Sequence, residues 1–132
     1  MKIDVSNYEM ERHFKKLNAM IQSDKPLPAA AAYGIVRALN TMQDALSPFS
    51  MVRDQLIRRY SGGGTALNRD ENPEAFDACI KELDEIGNKH IQIEVPQIVL
   101  ADLRDAKFTL AEMDALQLLI VERTADDGKV SD

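Results

Sequence analysis

Residues 28–60, PAAAAYGIVRALNTMQDALSPFSMVRDQLIRRY, carry an apolar pattern that only a helix can use. Ala32, Ile35, Leu39, Met42, Leu46 and Phe49 recur at steps of three and four, and Arg53, Leu56 and Tyr60 continue the phase. On an α-helix that spacing gives one continuous stripe, a heptad seam in which Arg53 is the only charged member. Pro48 sits inside the run. It lacks the N–H of a helical hydrogen bond and its ring crowds the preceding turn, so a bend or a split is expected there. The stripe keeps its phase across Pro48, because Leu46 and Phe49 are still three apart. One bent helix is therefore expected rather than two, on the order of 50 Å long at about 1.5 Å per residue. Ser61-Gly62-Gly63-Gly64 should end it, since glycine readily takes the left-handed conformation of a helix C-terminus.

Upstream, Met1, Ile3 and Val5 alternate with Lys2 and Asp4, the pattern of a short strand with one buried face. Ser6 and Glu9 have capping-box spacing. They open a helix whose apolar stripe runs through Met10, Phe14, Leu17 and Ile21 until Ser23–Pro28 breaks it. Downstream, residues 61–71 form a polar connection. Asn72-Pro73-Glu74 then starts a third helix, with a capping side chain, a proline at the first helical position and an acid in the first turn. Phe76, Cys79, Ile80, Leu83 and Ile86 supply its apolar face up to Gly87. Ile91, Ile93 and Val95 alternate with Gln92 and Glu94 as a second strand closed by Pro96, and Ile98-Val99-Leu100 suggests a third. A second capping box, Thr109 with Glu112, opens a final helix through Leu110, Met113, Leu116, Leu119 and Ile120. With Leu118 and Val121 it is apolar over more than one face, hence either central or part of an interface.

Each shorter helix spans about half of the long one. If the first packs antiparallel on its first half and the third on its second half, the two strands meet near the Pro48 bend and can pair. The expected fold is mostly α with a minor β component (α+β). A long bent helix is packed by shorter antiparallel helices, with a small two- or three-stranded sheet. Residues 1–122 form a single helical domain and 123–132 a polar flexible tail.

A chain of 132 residues is large enough to bury a core without staples. The absence of Trp leaves Leu, Ile, Met and Ala to fill most of it. No apolar run approaches the roughly 18 residues of a membrane span, and the Met-Lys-Ile-Asp-Val opening gives no sign of a secretory signal. Cys79, the only cysteine, cannot form an internal disulfide, which suits a reducing, cytoplasmic setting. Residues 1–60 carry nine Lys/Arg against six Asp/Glu, whereas residues 61–132 carry seven against sixteen. An acidic chain is a poor partner for nucleic acid. The polarity suits head-to-tail contact between copies or a basic partner, or serves only as a solvated surface.

The residues of catalysis are thinly supplied. His13 and His90 are the only histidines, too few with one thiol for the four ligands of a structural zinc site. Glu9 and His13, four apart, read as a helix-surface pair. Cys79 has Asp77 and Glu82 beside it, and acidic neighbours raise a thiol's pKa rather than activate it. It reads as buried filler. Asp84-Glu85, Asp102 with Asp105, and Asp126-Asp127 read as solvated faces, since nothing marks a carboxylate as desolvated. No cofactor and no enzymatic activity are expected. Arg53, Arg58, Arg59 and Tyr60, ahead of the glycine run, form a candidate anion- or partner-binding cluster. The glycines follow a helix and no Lys comes next, which rules out a P-loop. Cations complementing the end of a helix explain Arg58 and Arg59 equally well. Arg53, on the seam itself, is expected to pair with Asp77 or Glu74 of the third helix. Leu116, Leu119 and Ile120 are the candidate interface of the last helix.

Several segments resemble a family of small uncharacterised proteins encoded by temperate phages and prophages. They are the opening strand and capped helix, Lys25-Pro26-Leu27-Pro28-Ala29-Ala30, Leu46-Ser47-Pro48-Phe49, and Arg53 with Leu56-Ile57-Arg58-Arg59-Tyr60. Ile93-Glu94-Val95-Pro96-Gln97-Ile98 and the closing Leu116 with Leu119-Ile120 complete the set, which spans most of residues 1–122. The triple glycine at Gly62–Gly64 departs from the pattern. The resemblance implies a phage-type protein made in a bacterial cell and carries over no active site. Two functions are expected from these features. One is a non-catalytic accessory protein that binds a host or phage protein, or itself as a homo-oligomer, through its helical surfaces. The other is an inhibitor of host defence that blocks a protein or sequesters an anionic nucleotide.

Overall fold

The computed structural model describes residues 1–23, 26–99, 103 and 108–121. The expected tail at 123–132, Asp102 with Asp105, and Asp126-Asp127 lie outside the described residues. In chain order the elements are strand β1 (Lys2–Ser6), helices α1 (Asn7–Gln22), α2 (Ala29–Tyr60) and α3 (Pro73–Gly87), strands β2 (His90–Glu94) and β3 (Ile98–Val99), helix α4 (Leu110–Leu116) and strand β4 (Ile120–Val121). The architecture is mostly helical, with the long α2 covered by shorter helices and a small antiparallel sheet beside them.

Helix α2 runs unbroken through Pro48, as the unshifted apolar phase requires. Pro48 and Asp44 are exposed, so the Asp44 carbonyl that loses its helical donor can bond water instead. The helix ends where the glycines begin. The Ser61 N–H donates to the Ile57 carbonyl at 2.9 Å and the Gly63 N–H to that of Arg58 at 2.7 Å. The second bond closes the turn because Gly62 takes a left-handed φ of 74°, and Gly63 follows it at 103°. Both capping boxes form, Ser6 with Glu9 and Thr109 with Glu112, and Asn72 caps α3 through the Ala75 N–H. Each such cap contributes about 1 kcal/mol.

Ile35, Leu39, Met42, Leu46, Phe49 and Leu56 turn inward along α2. Ala31, Gly34 and Ala38 widen the buried face of its first half, and β3 packs there at Gly34. At Gly34 an added Cβ would lie 3.3 Å from Ile98 Cγ1, so glycine lets β3 come close. From α1, Met10, His13, Leu17 and Met20 are buried, while Phe14 and Ile21 are only half-buried. The inward stripe is thus centred beside the one that apolar spacing marks, and it includes a histidine. Full burial of a Leu, Ile or Met side chain contributes about 1.5–3 kcal/mol, and Met10, Leu17, Ile35 and Met42 are all sealed from solvent.

Strands β1 and β2 pair antiparallel, with Ile3 opposite Ile93 and Val5 opposite Ile91. Of the two- or three-stranded alternatives the sheet takes the first, and Ile98–Val99 is extended as its sequence suggests, with Leu100 outside the described residues. β3 does not extend this pair but runs parallel to β4 in a separate two-stranded unit, Ile98 opposite Ile120. The final helix is also shorter than its pattern suggests, ending at Leu116 instead of reaching Ile120. A turn follows, the Leu119 N–H donates to the Leu116 carbonyl, and the Leu119 carbonyl accepts the Ile98 N–H at 2.8 Å. Ile120-Val121, β-branched and set beside Ile98-Val99, gains more from a strand ladder than from another helical turn.

Candidate functional site

The four residues of the candidate cluster at the end of α2 do not converge. Arg53 turns toward α1, where its Nη1 donates to Glu11 Oε2 at 2.5 Å, and its guanidinium lies 5.4 Å from the Phe49 ring centroid. The expected partners, Asp77 and Glu74, are not used. Arg53 sits on the side of the seam that α1 covers, and Asp77 pairs instead with Arg69 at 3.6 Å. Tyr60 turns toward α3 and donates its hydroxyl to Glu82, with Arg59 on the other oxygen of that carboxylate at 3.6 Å. The hydrogen bond to Glu82 holds the Tyr60 hydroxyl proton more tightly than usual. Arg58 alone faces outward, beside a depression of about 180 Å³ that Asp54, Ile57 and Thr65 also line.

Arg59 and Tyr60 do meet at an anion, but it is the chain's own Glu82. Cys79 is buried nearby on the covered side of α3. Burial first and Glu82 second push its thiol pKa up, away from a nucleophile's range. Of the candidate interface, Leu116 and Leu119 are sealed in the core, so they occupy the central place that an all-round apolar segment permits. Ile120 lies in β4.

Two polar junctions escaped the pattern of the sequence. At the first, the start of α1 meets the end of α3. Asn7 Nδ2 donates to the Ile86 carbonyl at 2.8 Å, and the Tyr8 hydroxyl donates to Asp84 Oδ1 at 2.6 Å. The Tyr8 ring meets Phe49 edge-on, 5.7 Å between centroids, and lies over Gly87. Burial, reinforced by Asp84, pushes the Tyr8 pKa up to about 12.

At the second junction α1 meets α4 around His13, which is not the surface residue its spacing from Glu9 suggested. Its Nδ1 lies 3.3 Å from the Ala115 carbonyl and its Nε2 3.3 Å from Arg12 Nη2. A guanidinium can only donate, so Nε2 accepts and Nδ1 carries the proton. The contact with Arg12 therefore requires the neutral ring. Burial holds the His13 pKa below its ordinary value, and the charges of Arg12 and Lys16 push the same way. Asp114 accepts from Arg12 at 2.7 Å and Lys16 at 2.9 Å, and these bonds hold its carboxyl below the usual range. No simple motif announces either junction, since each joins residues far apart in the chain.

The outer face of α2 is the third feature. Tyr33 is 68% exposed and Met51 62%, with Val36 and Val52 each about two-fifths exposed. Among the described residues no three His, Cys, Asp or Glu side chains are placed to hold a metal. No described helix is long and apolar enough to cross a membrane. The chain matches no family model, no curated protein and no solved structure.

Proposed function

We propose that the protein is a non-catalytic accessory protein of phage or prophage type that works by protein-protein binding or assembly, with a host or phage protein or with itself, through its helical surfaces. The observation that carries this is the outer face of α2. Along a 32-residue helix it keeps Tyr33, Val36, Met51 and Val52 in solvent, although burying large apolar groups is what stabilises the rest of the molecule. Tyr and Met are favoured at the centres of protein interfaces. The phage setting, in the cytoplasm of a bacterial cell, rests on the family resemblance alone, carried by the opening strand and capped helix, Lys25–Ala30, Leu46–Phe49, Arg53 with Leu56–Tyr60, Ile93–Ile98 and Leu116 with Leu119-Ile120. The alternative of nucleotide capture has less support, because Arg59 and Tyr60 would first have to leave Glu82 and Arg53 to leave Glu11.

Affinity capture from bacterial lysate, with and without phage infection, tests the proposal. The wild-type chain should retain a specific protein that a Tyr33→Asp/Met51→Asp variant of unchanged melting temperature loses. Equal recovery by both chains would count against this face.

A further inference from the structure

We infer that the partner seated on the outer face of α2 is a second copy of this chain, running antiparallel across a two-fold axis. This deepens the proposed binding role and rests on it. From Tyr33 to Arg58 the most outward positions of α2 follow one another in steps of four and three, a second heptad seam opposite the buried one. Every residue on it is exposed. Its charges are also uncommitted. Asp44, Asp54 and Arg58 take no ion pair among the described residues. Arg37 only leans over its neighbour Tyr33, 5.8 Å from the ring centroid. Elsewhere Arg12, Lys16, Arg53 and Arg59 are all paired within the chain.

Antiparallel pairing about a point midway between Asp44 and Ser47 makes that seam complementary to itself. Arg37 then faces Asp54 of the second copy and Tyr33 faces Arg58, each contact occurring twice by symmetry. Asp44 meets Ser47, a hydroxyl able to donate to it, and Asn40 meets Met51. A parallel arrangement instead stacks Arg37, Asp44, Asp54 and Arg58 each on its own copy, four like-charge contacts. Charge complementarity therefore selects both the occupant and its direction. The pairs are exposed, so the association should be modest and weaken as salt is raised.

Light scattering after size exclusion, over a range of protein and salt concentrations, should show a dimer of the 14.8 kDa chain at high protein and low salt. Arg37→Glu and Asp54→Arg should each raise the dissociation constant about tenfold, two like-charge contacts replacing two ion pairs. The double variant should restore it. Asn40→Cys with Met51→Cys should oxidise to a covalent dimer, and Asn40→Cys alone should not. The two sites are about 16 Å apart along one helix, which rules out a bond within one copy. A particle that stays monomeric throughout, a dimer indifferent to the charge swaps, or cross-linking by Asn40→Cys alone would each overturn the inference. A monomer that still captures a host or phage protein through Tyr33 and Met51 leaves the binding role standing. A monomer that captures none removes both.

Discussion

Gly87 is the most tightly enclosed of the described glycines. A Cβ there would lie 2.2 Å from Cζ of Tyr8, and Tyr8 is itself pinned between Asp84 and Phe49. Gly87→Ala should therefore destabilise the fold by about 1–3 kcal/mol through overpacking, as read by chemical denaturation. Tyr8→Ala should absorb most of that penalty, making the two changes strongly non-additive. His13 makes a different demand. Its folded pKa is depressed by burial, so the unfolded chain takes up the proton first. Its contribution to stability is complete above the unfolded value near 6.5 and is lost as pH falls from there toward the folded value. Denaturation midpoints should drop between pH 7.5 and 5, and His13→Gln should reduce the part of that drop due to this site. Neither residue announces itself in the sequence. Gly87 looks like an ordinary helix end, and a polar His13 drops out of an apolar count although its position completes the stripe.

Helices with long, unbroken periodicity are written plainly in the chain, and α2 is the best case. Its phase runs through Pro48 because the buried face, not the local backbone, decides the element. The proline remains a cost: Pro48→Ala on this exposed position should raise stability by about 1–3 kcal/mol, measured as a higher thermal midpoint. Arg53 links α2 to α1, with both side chains of its pair more than two-thirds covered. Arg53→Ala should cost about 1–3 kcal/mol by leaving Glu11 without its partner, and a double-mutant cycle with Glu11→Ala should reveal the coupling. The sequence identified Arg53 as unusual but not its partner. Spacing along one helix says which face a residue occupies, and only the packing of α1 says what meets it. The end of α4 was hidden for a similar reason. Leu116, Leu119 and Ile120 keep helical spacing, yet Ile98, about twenty residues earlier, supplies a ladder that draws the segment into a strand.

Contacts between the two ends of the sequence tie the molecule together. β1 needs β2, His13 needs Ala115, and Asn7 needs Ile86. Each helix that leaves exposes at least one other, since α1 packs on α2 and α4 and α2 packs on α3. Thermal unfolding should therefore be a single transition, with helical circular dichroism and tyrosine absorbance falling together. Separated curves would mean that α4 detaches on its own. The overall arrangement was readable because it follows from helix lengths and two alternating strands, while the sheet order was not, since two-residue strands carry almost no pattern.

The glycine turn after α2 has a practical consequence. Gly62 and Gly63 have no neighbour within 4 Å that an added Cβ would meet, whereas the segments on either side are joined by a sheet, by Tyr60 with Glu82 and by Tyr8 with Asp84. A protease that cuts there should sever the backbone without parting the halves. The nicked protein would then behave as a two-chain reporter whose pieces, made separately, find each other again on mixing.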